Sequence, residues 1–178
     1  MSVNISAKHF SEKDNLLEAV QQALLKADMA AENLELEITE STVMGNIDIG
    51  LKILQALRVM GVQVSVDDFG TGYSSLSSLK QFPIQTLKID KSFISDLSAD
   101  SDDAAIVSAI ISMAGKLSLT VIAEGVETLE QLEFLKKETC NEIQGYFFSR
   151  PQPADKCTQM LKEEKSLMMV ENNINKNE

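Results

Sequence analysis

Cysteine and long apolar runs are scarce in this sequence, and each absence excludes a class of protein. Cys140 and Cys157 are the only cysteines among 178 residues, too few for a disulfide framework, and no CxxC or Cys/His spacing indicates a zinc site. No apolar run approaches the roughly 20 residues that a membrane-spanning helix needs, and no signal peptide opens the chain. We therefore expect reduced thiols and a cytoplasmic location, although a parent protein could be attached to a membrane through other domains.

Basic residues are also few. The 16 lysines and arginines stand against 27 aspartates and glutamates, which gives a formal net charge of −11. This balance argues against a nucleic-acid polymer as the main partner. It leaves room for a small phosphate ligand, because divalent cations in a carboxylate site reverse the local sign of the electric field.

What the chain does have is an alternation of strand-like and helical patterns. The strand-like segments are 2–6, 34–39, 62–68, 86–90, 119–124 and 142–148, and the amphipathic helical segments are 12–29, 47–61, 102–117, 128–138 and 158–170. This alternation is typical of an α/β fold with a parallel sheet. A Rossmann sheet would need a GxGxxG turn, which is absent. We therefore expect a TIM-type (β/α)₈ barrel.

The predicted barrel is incomplete. A full barrel has eight strands and typically about 250 residues, whereas this sequence predicts about six parallel strands with flanking helices. We expect a truncated barrel domain over residues 1–166 and a polar, disordered C-terminal tail over 167–178. An open sheet exposes edge-strand backbone and apolar surface. This predicts a homo-oligomer, or completion by a missing N-terminal segment.

Polar residues lie at or near the end of each predicted strand, and in a parallel barrel these strand ends converge on one mouth. They are Asn4, Glu37, Asp67, Asp68, Lys88, Glu124 and Gln144. Six of the seven offer oxygen ligands, and oxygen ligation without histidine or cysteine suits a hard ion such as Mg²⁺ or Mn²⁺, with Ca²⁺ as an alternative.

The adjacent pair Asp67 and Asp68 needs its own explanation. Consecutive strand residues point to opposite faces, so both can face the mouth only where the pleat breaks at the strand end. One carboxylate bridging two metal ions, with its neighbour on the second ion, is a usual arrangement for phosphoester cleavage. Asp68 can alternatively cap the following loop. Lys88 fits either electrostatic stabilisation of a reacting phosphate or a structural ion pair with Asp67 or Asp90.

Five collinear segments, from about residue 2 to about residue 162, resemble the EAL domain family. They are VNISAKHF, LELEITES, VDDFGTGYSSLSSLKQFPIQTLKIDKSFI, VIAEGVET and QGYFFSRP. Members of this family are phosphodiesterases that hydrolyse cyclic di-GMP. The resemblance implies that substrate and a Mg²⁺ or Mn²⁺ cofactor, with room for two ions.

The resemblance also implies roles for individual residues. The implied metal ligands are Asn4, Glu37, Asp67 and, for the second ion, Asp68. Lys88 would hold and polarise the attacking water. Glu124 resembles the carboxylate assigned as general base or as ligand of a metal-bound water.

Three further residues have supporting roles in the family. Glu127 resembles a supporting carboxylate, and Gln144 resembles a substrate-facing contact. Glu40 resembles the residue that anchors the DFGTGYSSL loop, which the family also links to dimerisation. From the residues alone, Glu40 fits either that loop-capping role or a charge at the N-terminus of a helix.

The sequence departs from the family at one motif. The Glu-Ala-Leu segment that names the family, and the arginine that follows it, do not occur here. That glutamate ordinarily binds metal and that arginine ordinarily meets a substrate phosphate. Two functions therefore stay open. The intact domain is expected to be a cyclic di-GMP phosphodiesterase, with this chain inactive on its own; the alternative is an inactive module that binds cyclic di-GMP or a protein.

Overall fold

A single open sheet organises the structure, a computed structural model that describes residues 1–10, 15–72, 76–97, 101–140 and 142–163. Six strands lie in sequence order, each parallel to the next. Their bounds are β1 Ser2–Ile5, β2 Glu35–Thr39, β3 Gln63–Phe69, β4 Thr86–Ile89, β5 Thr120–Glu124 and β6 Glu142–Gln144. Among the residues described, β6 does not pair with β1. The predicted set of six parallel strands is confirmed, and the sheet is not closed.

Helices connect the strands. They are α1 Leu16–Ala27, α2 Glu40–Gly45, α3 Ile47–Met60, α4 Leu76–Leu79, α5 Lys91–Ser95, α6 Asp102–Lys116, α7 Leu129–Lys137 and α8 Ala154–Lys162, with a 3₁₀ turn at Ala31–Asn33. In the part of the chain that is described, no helix is long and apolar enough to cross a membrane. The helices α2, α4 and α5 are not among the five predicted amphipathic segments, because four to six residues are too few to show a 3.6-residue period.

Two predicted segments run past the described residues. The predicted helix 12–29 is observed from Leu16 to Ala27, and residues 11–14 lie outside the described residues. The predicted helix 158–170 is instead a helix that begins earlier, at Ala154, and ends at Lys162. Residues 164–178, which include the predicted tail 167–178, also lie outside the described part of the chain.

Alternation along each strand separates the core from the site. Leu36 and Ile38 on β2, and Leu87 and Ile89 on β4, are fully or almost fully buried. Full burial of such a side chain stabilises a fold by about 1.5–3 kcal/mol. Successive strand residues point to opposite faces of the sheet, so the residues between these apolar ones point to the other face. Lys88 is one of them.

The end of β3 is irregular. The strand continues through Phe69, one residue further than predicted, and its pairing register with β4 shifts between Val66 and Phe69. Asp68 lies at this bulge with a φ of 54°. A bulge inserts one residue and turns the following side chains. It is the break in the pleat that the two adjacent aspartates required.

The last strand is shorter than predicted. The sequence predicted a strand over 142–148, but β6 ends at Gln144. A β-carbon on Gly145 would lie 2.1 Å from the carbonyl oxygen of Val126, so only glycine allows this close approach. The Phe147 N–H donates to that same oxygen at 2.9 Å, and the Phe148 N–H donates to the Gly145 carbonyl at 3.2 Å. The chain therefore turns after Gln144, and the prediction for 145–148 was wrong.

Candidate active site at the carboxyl ends of the strands

A buried lysine lies at the centre of the site. The Nζ atom of Lys88 on β4 is 3.1 Å from Glu37 Oε1, 3.2 Å from Asp67 Oδ1 and 2.6 Å from Glu124 Oε1. Only 3% of the lysine is exposed. The three carboxylates come from β2, β3 and β5, so four consecutive strands meet at one ammonium group.

Opposing effects act on the pKa of Lys88. Burial alone would lower it, but hydrogen bonding and charge from Glu124, together with Asp67 and Glu37, raise the pKa of Lys88 above its usual value. The side chain therefore stays an ammonium ion and cannot act as a base near neutral pH. The sequence left two ion pairs of Lys88 open, one with Asp67 and one with Asp90. The pair with Asp67 exists, as part of this larger cluster. Asp90 instead accepts a hydrogen bond from the Ser92 N–H at 2.9 Å, as the N-cap of α5.

Glu124 experiences the reverse balance. Burial raises the pKa of Glu124, and the neighbouring charges of Asp67 and Glu37 raise it further, against the lowering effect of Lys88. A carboxylate with a raised pKa is a stronger base than an exposed one. The position of Glu124 therefore suits proton uptake beside a fixed positive charge.

Three carboxylates form a cluster of metal-ligand type. One oxygen from each of Asp67, Asp68 and Glu124 lies within 4.8 Å of the other two. Burial raises the pKa of Asp68, as do the charges of Asp67 and Asp90. Within the described residues, the Asp68 backbone carbonyl accepts a hydrogen bond from Thr71 Oγ1 at 2.8 Å. One oxygen of the Asp68 carboxylate belongs to the acidic cluster.

Asn4 lies at the open edge of the same site. It is on β1, directly opposite Glu37 in the parallel register. Its side chain is exposed, because β1 is the edge strand of the sheet. The structure therefore places Asn4 beside one of the clustered carboxylates without burying it among them.

The position of Glu40 fits both of the alternatives that the sequence left open. It is the first residue of α2 and is 2% exposed. Its Oε2 accepts a hydrogen bond from the Gly70 N–H at 2.9 Å. A β-carbon on Gly72 would lie 2.5 Å from its Oε1. Glu40 thus contacts the loop that follows β3.

A cavity of about 480 Å³ adjoins the cluster, and Glu124, Glu127 and Gln144 all contribute to its wall. The same wall contains Lys91 and an Arg150 guanidinium that lies 4.5 Å from the centre of the Tyr146 ring. Lys91, Tyr146 and Arg150 were not among the predicted site residues. Their signal was position, because Lys91 lies two residues after β4, and Tyr146 and Arg150 lie two and six residues after β6.

The fold and this site define a parallel α/β domain of the barrel type with a carboxylate-rich mouth. The model of the family described as "EAL domain" matches residues 1–151. The chain belongs to the EAL domain family.

Two relatives have half of the aligned residues in common with this chain. The chain is 50% identical over 155 residues to the bifunctional diguanylate cyclase/cyclic di-GMP phosphodiesterase MucR of Pseudomonas aeruginosa, covering 87% of this chain and 22% of MucR. It is 50% identical over 153 residues to the cyclic di-GMP phosphodiesterase NbdA of the same organism, covering 86% of this chain and 19% of NbdA. The chain thus spans about a fifth of the length of these relatives.

Solved structures agree with the fold. The MucR phosphodiesterase in complex with c-di-GMP superposes with a TM-score of 0.84 at 50% identity, covering 88% of this chain and 63% of that one. BlrP1 of Klebsiella pneumoniae, solved with c-di-GMP and manganese, gives a TM-score of 0.78 at 34% identity over 84% of this chain and 38% of that one. A further BlrP1 structure contains calcium in place of manganese.

Proposed function

We propose that the intact domain hydrolyses cyclic di-GMP to a linear dinucleotide with the help of divalent metal ions. The observation that carries this proposal is the buried Lys88 ammonium among three carboxylates, one of which, Glu124, lines a cavity of about 480 Å³. Phosphodiester hydrolysis needs positive charge around a phosphate and a base for the attacking water. Family membership and the cyclic di-GMP phosphodiesterases among the relatives support the choice of substrate.

The residues present fit a hard divalent cation. All the donors are oxygens, and those of Asp67, Asp68 and Glu124 lie close enough to share an ion. Asp67, Asp68, Glu37 and Asn4 would hold one or two Mg²⁺ or Mn²⁺ ions, with Glu124 a direct or water-mediated ligand. When bound, such ions offset the negative charge that develops on the phosphoryl oxygens and make water a better nucleophile at neutral pH.

The reaction places two charged side chains in distinct roles. The oxygen of a water molecule bonds to one phosphorus of the cyclic dinucleotide as the bond from that phosphorus to a ribose oxygen breaks. Glu124, whose pKa is raised by burial, takes the proton that the water loses, and the departing ribose oxygen gains a proton from solvent. Lys88 orients the water and stabilises charge on the phosphoryl oxygens.

The cavity residues position the substrate. Gln144 and Glu127 line the wall beyond Glu124. There the amide can donate hydrogen bonds to a guanine edge and accept them from it, the carboxylate can accept them, and both can orient the nucleotide. Lys91 and Arg150 add positive charge to the same wall. Glu40 supports this site indirectly, by holding the loop after Asp68.

A second candidate function is a binding module without hydrolysis. It is favoured by the open sheet, in which β1 is an unpaired edge within the described residues. Beside that edge an apolar groove of about 430 Å³ is lined by residues that include Val3, Ile5, Leu16 and Val20. We propose that another polypeptide, either a second copy or a segment that carries the Glu-Ala-Leu motif, completes the mouth. The free thiols of Cys140 and Cys157 support a cytoplasmic location for the assembly.

Turnover of cyclic di-GMP by the purified chain, first with Mg²⁺ and then with Mn²⁺, tests the proposal. Glu124→Gln should abolish any turnover, while Glu133→Gln, the same change on the exposed face of α7, should leave it intact. The assay is repeated after adding a peptide that contains the Glu-Ala-Leu segment of a relative. Hydrolysis in either assay supports the enzyme, whereas binding without hydrolysis in both supports the module. Absence of both signals overturns the proposal.

A further inference from the structure

Gln131 is a buried amide with a full set of hydrogen bonds. It lies on α7 and is 6% exposed. Its Oε1 accepts from the N–H groups of Glu127 at 2.7 Å and Thr128 at 3.0 Å. Its Nε2 donates to the carbonyl oxygens of Ile94 at 2.9 Å and Ser95 at 3.4 Å. One side chain thus contacts the backbone of two separate segments.

Those two segments follow β4 and β5, the strands that carry Lys88 and Glu124. Glu127 and Thr128 belong to the connection that leaves β5 after Glu124. Ile94 and Ser95 end α5, which begins two residues after β4 and therefore three after Lys88. The amide of Gln131 lies between the two connections.

A second observation shows that the same two segments are in close contact. Gly125, the residue after Glu124, has a φ of 73°, and a β-carbon there would lie 2.6 Å from the β-carbon of Lys91. Lys91 is the first residue of α5. The connection after β5 therefore rests directly against the start of α5, and Gln131 joins their other ends.

A helix cap alone accounts for only half of these bonds. Thr128 and Gln131 form a capping box, in which the Gln131 N–H donates to Thr128 Oγ1 and the glutamine side chain accepts from Thr128. A capping box needs only the side-chain oxygen of its second residue. The bonds from Nε2 to α5 lie outside that motif and link α7 to the connection after β4.

We propose that Gln131 is a positioning residue for the candidate active site. By fixing the connection after β5 to α5, it holds the Glu124 carboxylate at its 2.6 Å separation from Lys88 and fixes Glu127 and Lys91 in the cavity wall. Its effect on ligands rests on the proposed function; its effect on the backbone does not.

Two substitutions separate the cap from the link to α5. Gln131→Glu keeps an oxygen that caps Thr128 and Glu127, but it replaces the donor to Ile94 and Ser95 with a second acceptor. Gln131→Met removes both sets of bonds at nearly the same volume. Asn46→Ala is the matched control, because it deletes the N-cap bond of another helix, α3, which Asn46 makes to the Ile49 N–H.

The first readout is hydrogen exchange of the backbone over residues 125–128 and 92–97 in the ligand-free protein. We expect faster exchange in both segments for Gln131→Glu, and wild-type exchange there for Asn46→Ala. Unchanged exchange in Gln131→Glu would overturn the proposal. This result does not depend on any activity, so it tests the link between the two connections even where wild type fails to bind cyclic di-GMP and the proposed function falls.

The second readout consists of two affinities. The affinity for Mn²⁺ is measured by electron paramagnetic resonance of the bound ion, and the affinity for cyclic di-GMP is measured by calorimetry. Loss of a residue that orients a metal-binding side chain, without itself binding the metal, typically weakens metal affinity by about 10- to 100-fold. We expect Gln131→Glu to weaken both affinities by at least ~10-fold, at a melting temperature close to that of Asn46→Ala. Wild-type affinities in a destabilised Gln131→Glu protein would show a purely structural role and overturn the proposal.

Discussion

Lys88 and Glu124 form an ion pair across two neighbouring strands, with 2.6 Å between Nζ and Oε1. In the register of β4 and β5, Lys88 lies opposite Ile122, so its side chain reaches forward by one inward-facing position to meet Glu124. This direction brings the ammonium among the carboxylates at the mouth. Lys88 thereby compensates negative charge that would otherwise be concentrated at one point.

The first prediction concerns this compensation. Lys88→Met leaves Glu37, Asp67 and Glu124 without a counter-charge, and breaking a buried ion pair by removing one partner costs about 3–5 kcal/mol. We expect the metal-free variant to melt well below the wild type. Added Mn²⁺ should restore part of the loss, because a divalent cation replaces the missing charge.

Thermal melts with and without Mn²⁺ check this expectation. Lys26→Met, which removes an exposed lysine on α1, serves as the control and should change the melting temperature little. A Lys88→Met protein that is as stable as the control in the absence of Mn²⁺ would contradict the role assigned to the ammonium group.

The second prediction concerns the contact between Glu40 and the loop after β3. Glu40→Ala leaves the Gly70 N–H without its acceptor, and a hydrogen bond to a charged group contributes about 1.5–3 kcal/mol. We expect denaturant unfolding to show a loss of that size. The same change at the exposed Glu32 should have little effect, and equal losses at both positions would contradict a specific anchor.

The third prediction compares two glycines. Gly70 has a φ of 101°, and a β-carbon there would lie 2.8 Å from a ring carbon of Phe93, whereas nothing lies within 4 Å of such an atom on Gly115 in α6. Where the backbone is compatible, a glycine-to-alanine change stabilises by about 0.4–1 kcal/mol, and where φ is positive it destabilises by more than that. Unfolding free energies for Gly115→Ala and Gly70→Ala should therefore change with opposite signs. A stabilised Gly70→Ala protein would contradict the observed loop conformation.

The sequence allowed the sheet and the centre of the site to be predicted, for a simple geometric reason. Each strand was marked by its local pattern, and parallel strands bring their carboxyl ends to one edge. Grouping Glu37, Asp67, Lys88 and Glu124 required no knowledge of side-chain contacts. The structure brings these four side chains together at the distances of ion pairs.

What escaped prediction depends on contacts between residues far apart in the sequence. The end of β6 is determined by the approach of Gly145 to Val126, a residue on another part of the chain. Gln131 shows both cases. Its capping box with Thr128 can be read from the T-x-x-Q pattern, but its bonds to α5, 36 and 37 residues away, leave no local signal.

The last prediction is a pH dependence at Asp68. Burial and the charges of Asp67 and Asp90 raise the pKa of Asp68 above its usual value of 3.8. The ionised form therefore destabilises the folded state at pH values above the folded pKa. This cost decreases as the pH falls through the folded pKa, and it is absent below 3.8, where the group is protonated in both states.

Asp68→Asn should accordingly melt above the wild type at pH 7, by ~1–3 °C, with a difference that narrows as the pH falls towards 3.8. Asparagine also tolerates the left-handed backbone at this position, so a backbone control is needed. Asp28→Asn provides it, because Asp28 is exposed and has a φ of 48°. Melts of both variants are recorded from pH 4 to pH 7 in steps of roughly one pH unit. The comparison separates charge repulsion from the effect of the backbone conformation. If the rise in melting temperature of Asp68→Asn equals that of Asp28→Asn at every pH, the effect belongs to the backbone. Charge repulsion would then not be the property that favours a cation at Asp68.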